Sequence, residues 1–242
     1  QEPNETHLDR RMMQPFQSEA LLGTDHLGRD ILSRLVWGAR VSLVIGVAAA
    51  LIASSLGALT GVVAGYLGGK IDLITMRIID VMLAFPYILL AIALVAALGP
   101  GLFNAMIAIA VVNISFYARN IRGAVLTLRE QGYVEASRCA GATNAHIMIR
   151  HIIPNVVAPL LVLVSMNVGW MIVETAGLSF LGLGAQPPRA DWGSMLADGR
   201  QFITVAGHVA TIPGLMILVF VLALNVLGDS LRDLFDPRLQ GR

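Results

Sequence analysis

Apolar residues run along this chain in long blocks rather than in alternation, and polar residues gather between the blocks. Five segments approach membrane-spanning length: 41–67, 73–98, 102–117, 156–176 and 209–227. A spanning helix needs ~20 mostly apolar residues to cross a hydrocarbon core of ~30 Å. Segment 41–67 is almost uninterrupted. Segment 73–98 carries charge only in its first turns, and 102–117 is short and broken by Asn113 and Ser115. Lipid offers no partner to a free backbone N–H or C=O, so all five are read as helices. The expected fold is all-α, a polytopic transmembrane helix bundle.

The polar segments assign a side to each turn. Between the third and fourth spans, 119–154 carries Arg119, Arg122, Arg129, Arg138 and Arg150. The C-terminal tail adds Arg232, Arg238 and Arg242, and Lys70 sits between spans one and two. With five alternating helices these regions share one side, which the positive-inside rule makes cytoplasmic. Segments 1–40 and 177–207 then face outward. A charged leader crosses a membrane poorly without a span ahead of it, so a sixth helix is expected upstream of Gln1. No apolar core of a signal peptide occurs in the first residues. The division expected is 1–40, an extracytoplasmic segment with a leading helix, and 41–242, a transmembrane domain.

Composition narrows the classes. The chain is 56% hydrophobic and 14% charged, against ~25% charged in soluble domains. Aromatics make up 6%, which fits lipid-facing helices rather than a barrel with aromatic girdles. A net charge of +1 argues against a nucleic-acid partner. The single cysteine, Cys139, permits no internal disulfide and reads as a packing residue. The five histidines lack metal-ligand spacing. No phosphate-cradling Gly-x-x-x-x-Gly-Lys-Ser/Thr loop occurs, so no ATPase site and no catalytic residue is expected in this chain.

Polar groups at membrane depth are costly and face a cavity or a partner. Asn167, Trp170, Met171 and Glu174 fall at i, i+3, i+4 and i+7, one helical stripe. Asn167 and Glu174, with Asn113, are candidates for a translocation path; an interhelix bond is the structural alternative. Arg77 and Asp80 are spaced as an i,i+3 pair, as are Asp229 and Arg232.

Four motifs carry a resemblance. Tyr133-Val134-Glu135-Ala136-Ser137-Arg138-Cys139-Ala140-Gly141-Ala142, followed by Arg150-His151-Ile152-Ile153-Pro154-Asn155, resembles the coupling-loop signature of ABC importer permeases: Glu-Ala-Ala, three residues, Gly, nine residues, Ile, any residue, Leu, Pro. Ser137, His151 and Ile153 depart from it. Gly23-Thr24-Asp25-His26-Leu27-Gly28-Arg29-Asp30 is similar to the segment after the first span in C-type subunits of the dipeptide/oligopeptide/nickel branch. Leu178 to Pro188 with Asp191-Trp192-Gly193 looks like that branch's outer loop. Asn225 to Asp229, then Leu231-Arg232-Asp233 and Asp236-Pro237, resembles its C-terminal signature.

Physically, the small residues Ala136, Ala140 and Gly141 permit close approach of another surface. Gly141 suits the turn between two short helices, and Glu135 suits a cap or an inter-subunit ion pair. Pro154 suits the start of the next span. The resemblance implies ATPase-coupling roles for Tyr133, Glu135, Ala136, Ser137, Gly141, Ala142 and Pro154. It implies a contact with the binding protein, or an outer gate, at Gln186 and Trp192; Trp192 also suits a headgroup anchor. The implied machine has a homologous second permease subunit, two ATPase subunits or domains that hold ATP and Mg, and an extracytoplasmic solute-binding protein, in a bacterial inner membrane. Di- or oligopeptides are the expected solutes, with nickel, glutathione or opines as alternatives. An ion-coupled secondary carrier is the rival class, and neither the mid-helix breaks nor the internal repeats such carriers show are evident in this sequence.

Overall fold

The computed structural model describes residues 2–17 and 20–235, with side chains as far as Ser230. The Arg232–Asp233 and Asp236–Pro237 parts of the C-terminal motif, the Asp229–Arg232 pairing and the tail arginines therefore lie outside the described side chains. Among the described residues every named element is a helix; the one β feature is an isolated bridge between Thr24 and Asp30.

Helix α1 spans Ile31–Leu67. It starts well before the apolar block because Asp30 caps it, Oδ2 accepting from the Ser33 N–H at 2.9 Å and from the Ser33 hydroxyl at 2.6 Å. Residues 31–40 form the first turns of α1, and the helix continues from them into the apolar block without a break. The expected single helix 73–98 is corrected to two, α2 (Gly69–Ala84) and α3 (Tyr87–Leu98), bent by 95°. Pro86 supplies no N–H and forces the preceding Phe85 into extended geometry, φ −92° and ψ 141°.

Helix α4 (Leu102–Leu128) also outruns its apolar segment. Arg119 and Arg122 stay helical because α2 supplies their counter-charges: Asp80 Oδ1 lies 2.5 Å from Arg119 Nη2, and Asp72 accepts from Arg122 Nε and Nη2. The Arg77–Asp80 pairing is replaced by this one. Beyond α4 come α5 (Gly132–Cys139), α6 (Asn144–Ile147), a π-turn (Met148–Ile152) and α7 (Ile153–Phe180). Residues 144–180 form one continuous helix. Pro154 thus does not begin a helix; it follows a π-turn, where widened pitch accommodates the missing N–H. Helices α8 (Trp192–Gly199) and α9 (His208–Phe235) complete the chain. Among the described residues four helices are long and apolar enough to span, five when the bent α2–α3 pair counts as one.

Two compact units share these helices. The first contains the N-terminal chain to Ala49, Ala91–Ile109 and Val168–Leu224. Its core joins Ile31 and Leu35 of α1 to Trp192 and Met195 of α8 and Ala206 and Val209 near the start of α9. The second contains Ala50–Leu90, Ala110–Asn167 and the chain from Asn225. Its core joins Val62 and Tyr66 of α1, Ile121 and Val125 of α4, Val134 of α5, and Ile147, Ile152 and Val156.

Within this second unit α1 meets α4 along Gly57, Gly61 and Gly65. A Cβ on each would lie 2.5 Å from Tyr117 Cβ, 2.6 Å from the Ala118 carbonyl oxygen and 3.0 Å from Val125 Cβ, respectively. The four-residue spacing puts all three glycines on one ridge, as in close-packed membrane helices. The Gly-x-x-x-Gly-x-x-x-Gly spacing is the signal in the sequence for this close approach.

The two ion pairs tying α2 to α4 differ in exposure. Asp80 and Arg119 are about half exposed, whereas Asp72 and Arg122 are 18% and 29% exposed. Half-exposed pairs are worth ~0–1 kcal/mol, while a bidentate, partly desolvated pair is stronger. A double-mutant cycle on Asp72→Asn and Arg122→Gln is expected to give a coupling energy of ~1 kcal/mol or more. The Asp80→Asn and Arg119→Gln cycle is expected near zero, both read by thermal unfolding in detergent.

Candidate functional site

Helix α5 buries one side chain. Val134 is buried in the second core, while Tyr133, Glu135, Ala136, Arg138 and Cys139 are exposed. Glu135 in the first turn and Arg138 in the last complement the helix dipole. Glu135 forms no ion pair among the described residues. Cys139, expected as a packing residue, is exposed: it lies on a helix that buries only one position.

The end of α5 is a glycine-terminated cap. Ala142 N–H donates to the Ser137 carbonyl at 3.1 Å and Gly141 N–H to the Arg138 carbonyl at 3.0 Å. Gly141 adopts φ +84°, the left-handed position of this motif. A Cβ there would meet nothing within 4 Å, so backbone conformation alone demands glycine within this chain. Thr143 then caps α6, its hydroxyl accepting from the His146 N–H at 3.3 Å. Ala142 packs on the second core.

Around α5 the structure adds further contacts. The Ser137 hydroxyl lies 3.3 Å from His151 Nε2, and the His151 ring lies 5.9 Å from Tyr133 and 6.1 Å from His146. His151, a departure from the motif, is thus a half-buried strut between α5 and the helix that follows it. Tyr66 Oη lies 3.3 Å from Asn144 Oδ1, and Arg129 Nη1 donates to the Gly65 carbonyl at 3.0 Å.

The membrane-depth candidates do not share one setting. Asn167 donates from Nδ2 to the Leu163 carbonyl of its own helix at 2.8 Å. Met171 and Glu174 are buried, Glu174 at 4% exposure, whereas Trp170 is 50% exposed. At 100° per residue, Trp170 lies ~60° to one side of Asn167 and Met171 ~40° to the other, so a boundary between buried and open surface divides the expected stripe. Asn113 is half-buried on α4.

In the outer-loop segment, α7 ends on Gly182 at φ +79°, with Leu183 N–H donating to the Leu178 carbonyl at 2.9 Å. Gln186 is exposed, and its Nε2 donates to the Gly182 and Gly184 carbonyls, each at 3.1 Å. Asp191 caps α8 through the Ser194 N–H at 3.1 Å and accepts from the Ser42 hydroxyl at 2.9 Å. Trp192 is 1% exposed, donates from Nε1 to the Leu35 carbonyl at 3.0 Å and stacks edge-on with Phe220. This corrects the expectation of a headgroup anchor or surface contact: Trp192 is a core residue, because α8 folds its apolar side onto α1. Trp192→Ala is expected to cost ~3–5 kcal/mol. Trp192→Phe, which keeps most of the ring bulk and loses the hydrogen bond, should cost ~1 kcal/mol. Melting of the two variants in detergent separates the effects.

The family model for binding-protein-dependent transport system inner membrane components matches residues 57–241. The chain is 47% identical, over 98% of its length and 77% of the relative's, to the dipeptide transport system permease protein DppC of Alkalihalophilus pseudofirmus. It is 48% identical, over 90% of its length and 73% of the relative's, to the glutathione transport system permease protein GsiD of Pectobacterium atrosepticum. Its fold is similar to that of a chain of the inward-facing MetNI methionine ABC transporter, with a TM-score of 0.70 and 19% identity over 85% of this chain and 98% of that one.

Proposed function

We propose that this chain, which belongs to the family of binding-protein-dependent transport system inner membrane components, forms half of the translocation path of an ATP-driven peptide importer. It is a multi-pass membrane protein and a non-catalytic transport subunit of the ABC importer permease type. The proposed complex adds a homologous permease subunit, two ATPase subunits that bind and hydrolyse ATP with Mg, and an extracytoplasmic solute-binding protein, in the bacterial inner membrane. Di- and oligopeptides are the proposed solutes, and the glutathione-transport relative keeps glutathione as a second reading. Segment 119–154 is proposed to face the cytoplasm and 177–207 the outside.

One observation carries the coupling role: α5 buries only Val134 and leaves its small residues and Glu135 uncovered. A helix with so little of its own surface buried is suited to a groove on another chain. Tyr133, Glu135, Ala136 and Ser137 are proposed to line that contact, with Gly141, Ala142 and Pro154 shaping the backbone behind it. ATP-driven closure of the ATPase pair would then move α5 and bias the permease between inward and outward states. Asn113, Asn167 and Glu174 remain proposed path residues.

Cys139, the single cysteine of the chain and exposed at the end of α5, provides the test. In the assembled transporter a short thiol-to-amine cross-linker is expected to join Cys139 to an ATPase subunit, and Cys139→Ser should abolish the product. Cross-linking to the external binding protein instead, or purification of an active transporter without any ATPase, would overturn the assignment.

A further inference from the structure

The first unit encloses a cavity of about 160 Å³ lined by, among others, Arg29, Arg34, Ser179, Gln186, Arg189 and Asp198. Arg29 and Arg34 are 5% and 2% exposed. Guanidiniums at that depth persist only against anions. The buried carboxylate they share is Asp25, whose Oδ2 lies 2.6 Å from Arg29 Nε and 3.7 Å from Arg34 Nε. Oδ1 of Asp25 is already engaged by the backbone N–H groups of Leu27 and Arg29. Asp198, 3.6 Å from Arg29 Nη2, is 40% exposed, and Asp30 directs Oδ2 to Ser33 at the start of α1. Nη1 of Arg34 reaches two neutral acceptors at 3.3 Å, the Pro3 carbonyl and Asn4 Oδ1. Arg189 adds a third guanidinium on the exposed rim.

Two deeply buried guanidiniums and a third at the rim, set against buried Asp25 and partly exposed Asp198, leave one positive charge in excess at an open cavity and form a receptor for another anion. The planar guanidinium fork matches a carboxylate. At about 160 Å³ the cavity has room for one acidic group. We propose that this cavity takes a single carboxylate from outside the chain, either an acidic side chain of the solute-binding protein or the terminal carboxylate of the solute. The proposal rests on the permease reading above. It gives Gln186 and its neighbours a recognition chemistry that the loop alone does not specify.

The test uses the assembled transporter in lipid nanodiscs, or in proteoliposomes for transport. Arg189→Glu reverses the rim charge. Ser194→Glu, at the third residue of α8 behind the Asp191 cap, places an internal carboxylate at the cavity in a position that favours Glu. Arg189→Lys is the conservative control. Assembly yield and basal ATPase activity should match wild type in all three. If the site receives a binding-protein side chain, both Glu variants raise the Kd for solute-loaded and solute-free binding protein at least tenfold, and Arg189→Lys restores most of it. If it receives the solute, both Kd values stay at wild type while the transport rate falls at least tenfold. Unchanged Kd and unchanged transport in both Glu variants overturn the site. An ATPase that fails to co-purify with the wild-type chain overturns the permease reading instead.

Discussion

Gly141→Leu is expected to cut ATP-driven solute uptake at least tenfold while the chain still folds and reaches the membrane. Within this chain the substitution meets no atom within 4 Å, so its only intrinsic cost is backbone strain. Gly141 sits at φ +84°, where an L-residue costs ~1–2 kcal/mol. Gly141→Ala carries the same strain with the smallest side chain, and Gly141→Asn carries less, because Asn tolerates the left-handed region. The difference between Leu and Ala therefore reports a surface belonging to another protein. The expected order of uptake is Gly, Asn, Ala and then Leu, with the largest step at Leu. ATP hydrolysis should persist and become insensitive to the solute-loaded binding protein. Equal uptake by Gly141→Leu and Gly141→Ala would show that nothing docks closely at this turn.

The second large effect is on stability. Gly61→Val should prevent recovery of monodisperse, folded protein. A Cβ on Gly61 would stand 2.6 Å from the Ala118 carbonyl oxygen, 2.9 Å from the Arg122 backbone nitrogen and 3.1 Å from Ile121 Cβ. Two of these are helix backbone and cannot rotate away. The helices must separate, which also pulls Gly65 from its contact with Arg129 Nη1. Overpacking in a relaxed core costs ~1–3 kcal/mol; contact with backbone places this variant at or above the upper end. Gly123→Ala is the matched control. Gly123 lies on the exposed side of α4 with nothing within 4 Å of a Cβ, and Ala there should stabilise by up to ~1 kcal/mol through helix propensity. Size-exclusion profiles and thermal unfolding of both variants check the contrast. A well-folded Gly61→Val would mean that α1 and α4 do not pack through their glycines.

Both predictions rest on glycines, and the two were not equally easy to read. Gly141 stands out because its distances from Glu135 and Pro154 match the motif that carries the family resemblance. The backbone conformation it adopts is the one a turn between short helices requires. Gly57, Gly61 and Gly65 form an equally regular series, but an apolar block absorbs glycines without contrast. Only the proximity of α4 shows that each lacks room for a Cβ.

Hydrophobic patterning by itself determined that this chain is helical and lies in a membrane, because no other backbone arrangement satisfies its N–H and C=O groups across such apolar lengths. The motif resemblance, not the patterning, singled out the segment proposed for coupling, where small residues, a glycine and a proline describe a local backbone path. Tertiary structure decided where the helices end. Charges look like boundaries in a sequence, yet Arg119 and Arg122 remain inside α4 because Asp80 and Asp72 arrive from α2. It likewise decided exposure at single positions. Trp192 follows a loop rich in Gly and Pro and reads as a surface residue, but its indole N–H finds the Leu35 carbonyl inside the first core. Cys139 reads as a packing residue but lies on a helix whose one buried side chain is Val134. Backbone satisfaction in lipid is a property of each segment alone, so sequence suffices for it. Burial and charge pairing depend on which distant segment comes alongside, and that is settled only when the helices pack.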